Sequence, residues 1–332
     1  MTTVVIGVDG GTTKTITLVA NPEGCIVGAA RGPGSNWTGA DVEIPMEVIA
    51  QTVKEASKQA GISPEDVALG MFTLAGADWP EDHARRKAVL ESYNFARQIV
   101  VKNDAFGGLR AGTRSPYGVV IAAGTGANTA VITPDGQEWA FGYYQDYGGA
   151  LDMSREGIEA VIRAEDGRGA PTMLTSIILE KLGFLRVDDL VRALVAKQVS
   201  QASKLALCPF VFKAAYMGDE VAAELIVVHG SSLAEYATAA IRRFGMQQSD
   251  FDVVLAGSLF KGQGPLLVDS ITQAIHRTAP RARIVRSQFE PVIGTVLLAY
   301  DALGQSLSDD FYEHLASTSP GHDFFNTAEW RW

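Results

Sequence analysis

The feature that most constrains this chain is a motif it carries twice. Asp9-Gly10-Gly11-Thr12-Thr13-Lys14 closes one apolar run and opens another, which ends in the turn Asn21-Pro22-Glu23-Gly24. Ala123-Gly124-Thr125-Gly126-Ala127-Asn128 does the same and leads to Thr133-Pro134-Asp135-Gly136. An offset of 112 residues superposes Thr13 on Thr125, Pro22 on Pro134 and Gly24 on Gly136. Each half therefore reads strand, Gly/Thr turn, strand, Pro-acid-Gly turn. This predicts a duplicated, two-domain protein, and 332 residues leave room for two domains.

The apolar runs Val4–Val8, Val67–Leu74, Ile99–Lys102, Val119–Ala123 and Val253–Ala256 are strand-length and end in a turn former or an acid. Their near-continuous apolarity predicts central strands buried on both faces. Ligands of such sheets collect beyond the strand carboxyl ends. Helical spacing fills the intervals: Val42–Ala60, Asp82–Tyr93, Met153–Glu165, Thr172–Leu182, Val187–Val195, Glu220–Phe244, Leu266–Thr278 and Pro291–Leu303. The alternation predicts an α/β fold. We place one domain over 1–112 and a second over 113–316, with a helical insertion at about 165–245. The tail, 317–332, has the composition of a loose segment, but Trp330 and Trp332 are expected to dock on the body.

The formal charge of -10 disfavours a nucleic-acid surface. Cys25 and Cys208 are far apart and form no CxxC pair, which fits a reducing, cytoplasmic setting without a disulfide framework or zinc. The five histidines have no metal-ligand spacing. The N-terminus lacks a basic n-region, and no apolar run is long enough to span a membrane.

Glycine-rich turns cradle phosphate because their backbone N–H groups approach closely and point inward. A P-loop beginning at Gly7 would need glycine where Thr12 stands, and a dinucleotide fingerprint beginning at Gly124 would need it at Thr129. What remains is two strand–turn–strand hairpins facing one another across a cleft, which could hold a triphosphate from both sides. Gly10, Gly11, Gly124 and Gly126 would supply the cradle, Thr12, Thr13 and Thr125 hydroxyl donors, and Lys14 a charge. Asp9, ending the first strand, is the candidate for Mg²⁺, which often takes only one or two carboxylates.

In these motifs the chain resembles the BadF/BadG/BcrA/BcrD ATPase family, within the actin/hexokinase/Hsp70 superfamily. Gly7–Thr15 is similar to its first phosphate motif, Ala123–Asn128 to its second, and Leu255-Ala256-Gly257-Ser258 to its adenosine motif. Gly34-Ser35-Asn36-Trp37 resembles the sugar-contacting segment, Leu74–Asp78 the next strand end, and Asn103-Asp104-Ala105 the catalytic acid motif. The resemblance runs in order over about 1–300. It implies two ribonuclease H-like (actin-like ATPase) domains with the active site between them, and an ATP- and Mg²⁺-dependent amino-sugar kinase acting on N-acetylglucosamine or glucosamine. It also implies a homodimer. Asp104 would be the general base, with Asn36, Trp37, Gly76, Asp78 and Asp146 around the sugar and Gly257 and Ser258 near the adenine. One position departs: Tyr147 stands where the family's Gly-Asp-Glu-Gly run has Glu.

Asp104 is expected just after a strand, at the start of the helix-like Ala105–Ala111. There the helix N-terminus would favour its anion, and it would also be placed to cap the helix. Two other readings of the same fold are an ATP-driven activator of a reductase or dehydratase, which would need cysteines for an iron–sulfur cluster, and a non-catalytic sugar sensor.

Overall fold

Two hairpins built on the repeated motif organise the molecule. In the computed structural model, which describes residues 4–37 and 43–325, β1 (Val4–Gly10) pairs antiparallel with β2 (Lys14–Ala20), and β2 with β3 (Ile26–Pro33). On its other side β1 runs parallel to β4 (Val67–Leu74), and β4 to β5 (Ile99–Asn103). The order is β3-β2-β1-β4-β5, with α1 (Glu43–Ala60) and α2 (Pro80–Ser92) as crossovers. Every residue of β1 is buried, as its unbroken apolar run predicts.

The second half repeats this plan after α3 (Asp104–Gly112). Strands β6 (Gly118–Ala123), β7 (Ala127–Ile132), β8 (Glu138–Ala140), β9 (Asp252–Ala256) and β10 (Arg283–Arg286) form the order β8-β7-β6-β9-β10. The antiparallel and parallel pairings match those of the first sheet one for one. The duplication predicted by the repeat, and the ribonuclease H-like domains implied by the family resemblance, are therefore present as two five-stranded sheets.

Between β8 and β9 the chain is helical: α4 (Ala150–Glu165), α5 (Leu174–Leu182), α6 (Val187–Val195), α7 (Gln201–Leu205), α8 (Cys208–Tyr216) and α9 (Glu220–Arg243). Like α1 in the first half, α9 lies between the third and fourth strands of its half in chain order and packs on the sheet, here on β6 and β7. It is thus the repeat's own helix, and α4–α8 are the added material. The remaining helices are α10 (Leu266–His276), α11 (Pro291–Ala302), α12 (Asp309–Thr318) and α13 (His322–Phe325).

Three apolar clusters alternate with the two sheets. One lies under α1 and α2, a second under the added helices, and the third lies between the sheets. The middle cluster joins Val5 and Leu18 of the first sheet to Val120 and Val254 of the second through Phe106 of α3 and Val296 of α11. Tyr300 is fully buried there, and its hydroxyl donates to the Ala20 carbonyl at 3.1 Å. A buried tyrosine of this kind contributes a large apolar area while keeping its polar end satisfied.

The tail departs from its loose composition up to Phe325. Ser308 caps α12 by accepting from the Phe311 N–H at 3.2 Å, and Phe325 is buried. Trp330 and Trp332 lie outside the described residues.

Candidate active site

The two Gly/Thr turns meet. Thr13 Oγ1 lies 3.4 Å from Thr125 Oγ1. The Gly11 N–H donates to the Lys14 carbonyl at 2.9 Å and closes the first turn; the Gly124 N–H donates to the Gly126 carbonyl at 2.8 Å and closes the second. Both border one cleft of about 1360 Å³ between the sheets. Of the residues singled out in the sequence, Asp9, Gly11, Thr12, Thr13, Lys14, Asn36, Gly76, Asp78, Asp104, Gly124, Thr125, Gly126, Asp146, Gly257 and Ser258 line this cleft.

Two do not. Gly10 lies beneath the turn, with its carbonyl accepting from Ala75 N–H at 2.8 Å and its α-carbon against Leu74 and Ser35. Trp37 is buried, its ring 5.1 Å from the guanidinium carbons of Arg85 and Arg86, and its carbonyl accepts from Arg86. An indole held this way has no face to offer a sugar. Its neighbour Asn36 does reach the cleft and donates to Thr12 Oγ1 at 3.3 Å.

The acids stand at strand ends. Asp9 is buried at the close of β1, in register with Thr73 of β4. Burial, and then the charge of Asp104, push its pKa up to about 7, against the pull of Lys14. Asp104 is half-buried and opens α3. Its pKa is pushed up to about 6 by burial and by the charge of Asp78, while the backbone N–H groups of Ala105 and Asp104 pull it down. The helix N–H groups favour the anion, as expected, but desolvation outweighs them and the net shift is upward. The cap is Asn103, whose Oδ1 accepts from Ala105 N–H at 3.0 Å.

Asn103 does more than cap. Its Nδ2 donates to Asp78 Oδ1 at 2.7 Å, and its Oδ1 accepts from Asn128 Nδ2 at 3.0 Å. Asn128 Oδ1 accepts in turn from the Gly142 N–H at 3.0 Å. This chain crosses the cleft floor, and both amides are oriented by their partners. Gly142 has φ 53°, and a Cβ there would fall 2.5 Å from Asp78 Cβ. Only glycine allows the two halves to approach so closely. Beside it the exposed rings of Trp79 and Tyr143 meet edge-on at 4.9 Å, one from each half.

Asp146 is exposed and lines the cleft, hydrogen bonded to Tyr236. Tyr147 turns the other way and bonds Glu156 and His229. At the opposite end, Lys261 donates to Glu290 at 3.0 Å, and both line the cleft with Lys14. Burial lowers the Lys14 pKa, while the charges of Glu290 and Asp9 raise it. Glu290 precedes Pro291 at the start of α11; an acid before a helix-opening proline is its visible signal in the sequence. The apolar wall from Leu205, Pro209 and Phe210 comes from α7 and α8, which lie within the helical insertion expected at about 165–245.

Among the described residues no cluster of three or more His, Cys, Asp or Glu forms a metal cage. A buried carboxylate with a raised pKa still suits a hard cation that keeps its waters, so Asp9 fits Mg²⁺ in chemistry. Cys208 is buried at the start of α8, and Cys25 sits in the β2–β3 turn. Neither lines the cleft.

Known proteins are similar to this chain over most of its length. The chain is 27% identical to an N-acetyl-D-glucosamine kinase of Dictyostelium discoideum over 312 residues, covering 90% of this chain and 98% of that one. It is 24% identical to an N-acetylmuramic acid/N-acetylglucosamine kinase of Clostridium acetobutylicum, covering 89% and 97%. Its fold superposes with TM-score 0.69 on the crystal structure of a proposed N-acetylglucosamine kinase from Chromobacterium violaceum, at 23% identity and covering 90% and 99%. The family model for the BadF/BadG/BcrA/BcrD ATPases matches residues 6–299, and the chain belongs to that family.

Proposed function

We propose that this chain is an ATP-dependent kinase that phosphorylates a hydroxyl of an amino sugar, N-acetylglucosamine or glucosamine. The observation that carries the reading is the 3.4 Å approach of Thr13 to Thr125 across a cleft whose floor holds Asp9 and Asp104. The matched relatives, which include a glucosamine kinase of Vibrio cholerae, support an amino-sugar acceptor.

In this reading the two turns grip the nucleotide phosphates, and Lys14 and Lys261 offset the charge that develops during transfer. Gly257 and Ser258 side the adenine. Asp9 would hold Mg²⁺, which would supply positive charge to offset that of the phosphates. Asn36, Gly76, Asp78 and Asp146 orient the sugar. Asp104 takes the proton of the attacking hydroxyl. A pKa of about 6 suits a general base, because the group is ionised at neutral pH yet basic enough to accept a proton. The halves correspond to about 1–112 and 113–316, and their closure on the sugar would exclude water from the phosphates. A cytoplasmic homodimer belongs to the same proposal. Among the described residues no helix is long and apolar enough to cross a membrane.

A coupled ADP-release screen over hexoses and amino sugars tests the reading. The expected result is release dependent on an amino sugar and absent without sugar. Release that no sugar stimulates would overturn it.

A further inference from the structure

The departure at Tyr147 leads to a buried cluster that the proposed chemistry leaves unused. His229 of α9 is fully buried. Its Nε2 lies 3.0 Å from the Gly148 carbonyl, and its Nδ1 lies 2.9 Å from the Tyr147 hydroxyl and 3.1 Å from Glu156 Oε2. A carbonyl only accepts, so Nε2 carries the hydrogen and donates to Gly148. The Tyr147 hydroxyl gives its one hydrogen to Glu156 of α4. The N–H groups of Gly148 and Gly149 both donate to Asp152 Oδ2, each at 3.1 Å. The segment 147–149 is thus gripped by one side chain, one carbonyl and two amides.

That segment presses on the second phosphate turn. A Cβ on Gly149 would fall 2.3 Å from the Thr125 carbonyl oxygen and 2.4 Å from Gly126 Cα. Just beyond, Ala150 N–H donates to the Gly124 carbonyl at 2.8 Å, and Leu151 N–H to the Thr125 carbonyl at 3.2 Å. Both carbonyls therefore face α4. In a planar trans peptide the N–H points opposite to the C=O. The N–H groups of Thr125 and Gly126 consequently face away from α4.

We infer that His229 is a positioning residue for nucleotide phosphate: by holding Gly148 it seats Gly149 and the start of α4 against Gly124–Gly126, and so aims the turn's N–H groups into the cleft. The inference rests on the reading that this turn holds a phosphate of ATP.

Two substitutions separate positioning from packing. His229→Gln carries an amide nitrogen where Nε2 stood and keeps the bond to Gly148. His229→Asn carries one near Nδ1 and leaves the carbonyl unpaired. Calorimetry with a non-hydrolysable ATP analogue should give a Kd about tenfold weaker for H229N, the scale of one lost buried hydrogen bond. H229Q should stay within about threefold. The KM for ATP should follow these values while the KM for sugar holds within about twofold. Analogue binding by H229N equal to wild type would overturn the inference, and so would equal loss in both variants. If H229N does not fold, His229→Met decides, since it keeps the length of the side chain and has no N–H for the Gly148 carbonyl; analogue binding equal to wild type there would also overturn it. Wild-type protein that binds no analogue would overturn the kinase reading with it. Wild-type sugar phosphorylation beside an indifferent H229N would sink the positioning role alone.

Discussion

Asp9 and Asp104 are charged groups in a place that disfavours charge. Each has its pKa raised chiefly by burial, and each lies near another acid. A base with a raised pKa is inactive once protonated, so activity is lost as pH falls through that value. The acid limb of kcat/KM for sugar, which reports the free enzyme, should therefore have its midpoint near pH 6, set by Asp104. A pH–rate series between about 4.5 and 8 checks it, and a flat profile down to pH 5 would contradict it. At this scale the sequence was legible where chemistry and position coincide: an acid or amide at a strand end or turn, such as Asp9, Asn36 and Asp104, lines the cleft. Trp37 misled because an aromatic beside Asn36 reads as a sugar platform, and nothing local announces the two arginines from α2 that cover it. Tyr147 shows the same limit, since its partners lie 9 and 82 residues away.

The hairpin turns are elements before they are sites. Their strands were readable because buried strands need unbroken apolar runs, and most long helices were readable from periodicity. Of the edge strands, β5 was read and β3, β8 and β10 escaped. β3 carries Gly28, Arg31 and Pro33 and is only partly buried, and β8 is three residues long. Helices α7 and α8 fall inside the helical insertion expected at about 165–245, but their individual bounds were not readable. Nor could the sequence announce that the element 141–145 closes on the first half through Gly142 and Tyr143. That contact makes a prediction. Tyr143→Ala removes an edge-on aromatic pair worth about 0.5–1.5 kcal/mol beyond its area. Part of that energy is lost on closure, so the KM for sugar should rise about three- to tenfold. With sugar present, ADP release should exceed phosphosugar formed, as water gains entry to the closed cleft. Steady-state kinetics with both substrates measure this, and an unchanged KM for sugar would count against a latch at this end.

For the whole molecule, duplication is the governing fact. Two sheets of matching topology back onto a shared apolar layer and open on the other side into a cleft. The repeat offset of 112 residues made that plan legible. The packing of α11 against β1 and β4 was not, because a helix of one half lies on the sheet of the other only through contacts remote in sequence. The cleft gathers Lys14, Lys213 and Lys261 in a chain of net charge -10, which gives an anionic nucleotide a local home.

The central claim is that Asp104 is the base of a phosphoryl transfer whose nucleotide is held elsewhere, by the twin turns. Its most direct test is mass-spectrometric detection of phosphorylated amino sugar with wild type and Asp104→Asn, beside calorimetric titration of an ATP analogue into each. The account predicts phosphosugar formation reduced by about 10²–10⁴-fold in the variant, the usual worth of a general base, with analogue binding unchanged. Phosphosugar formed by Asp104→Asn at the wild-type rate would contradict it.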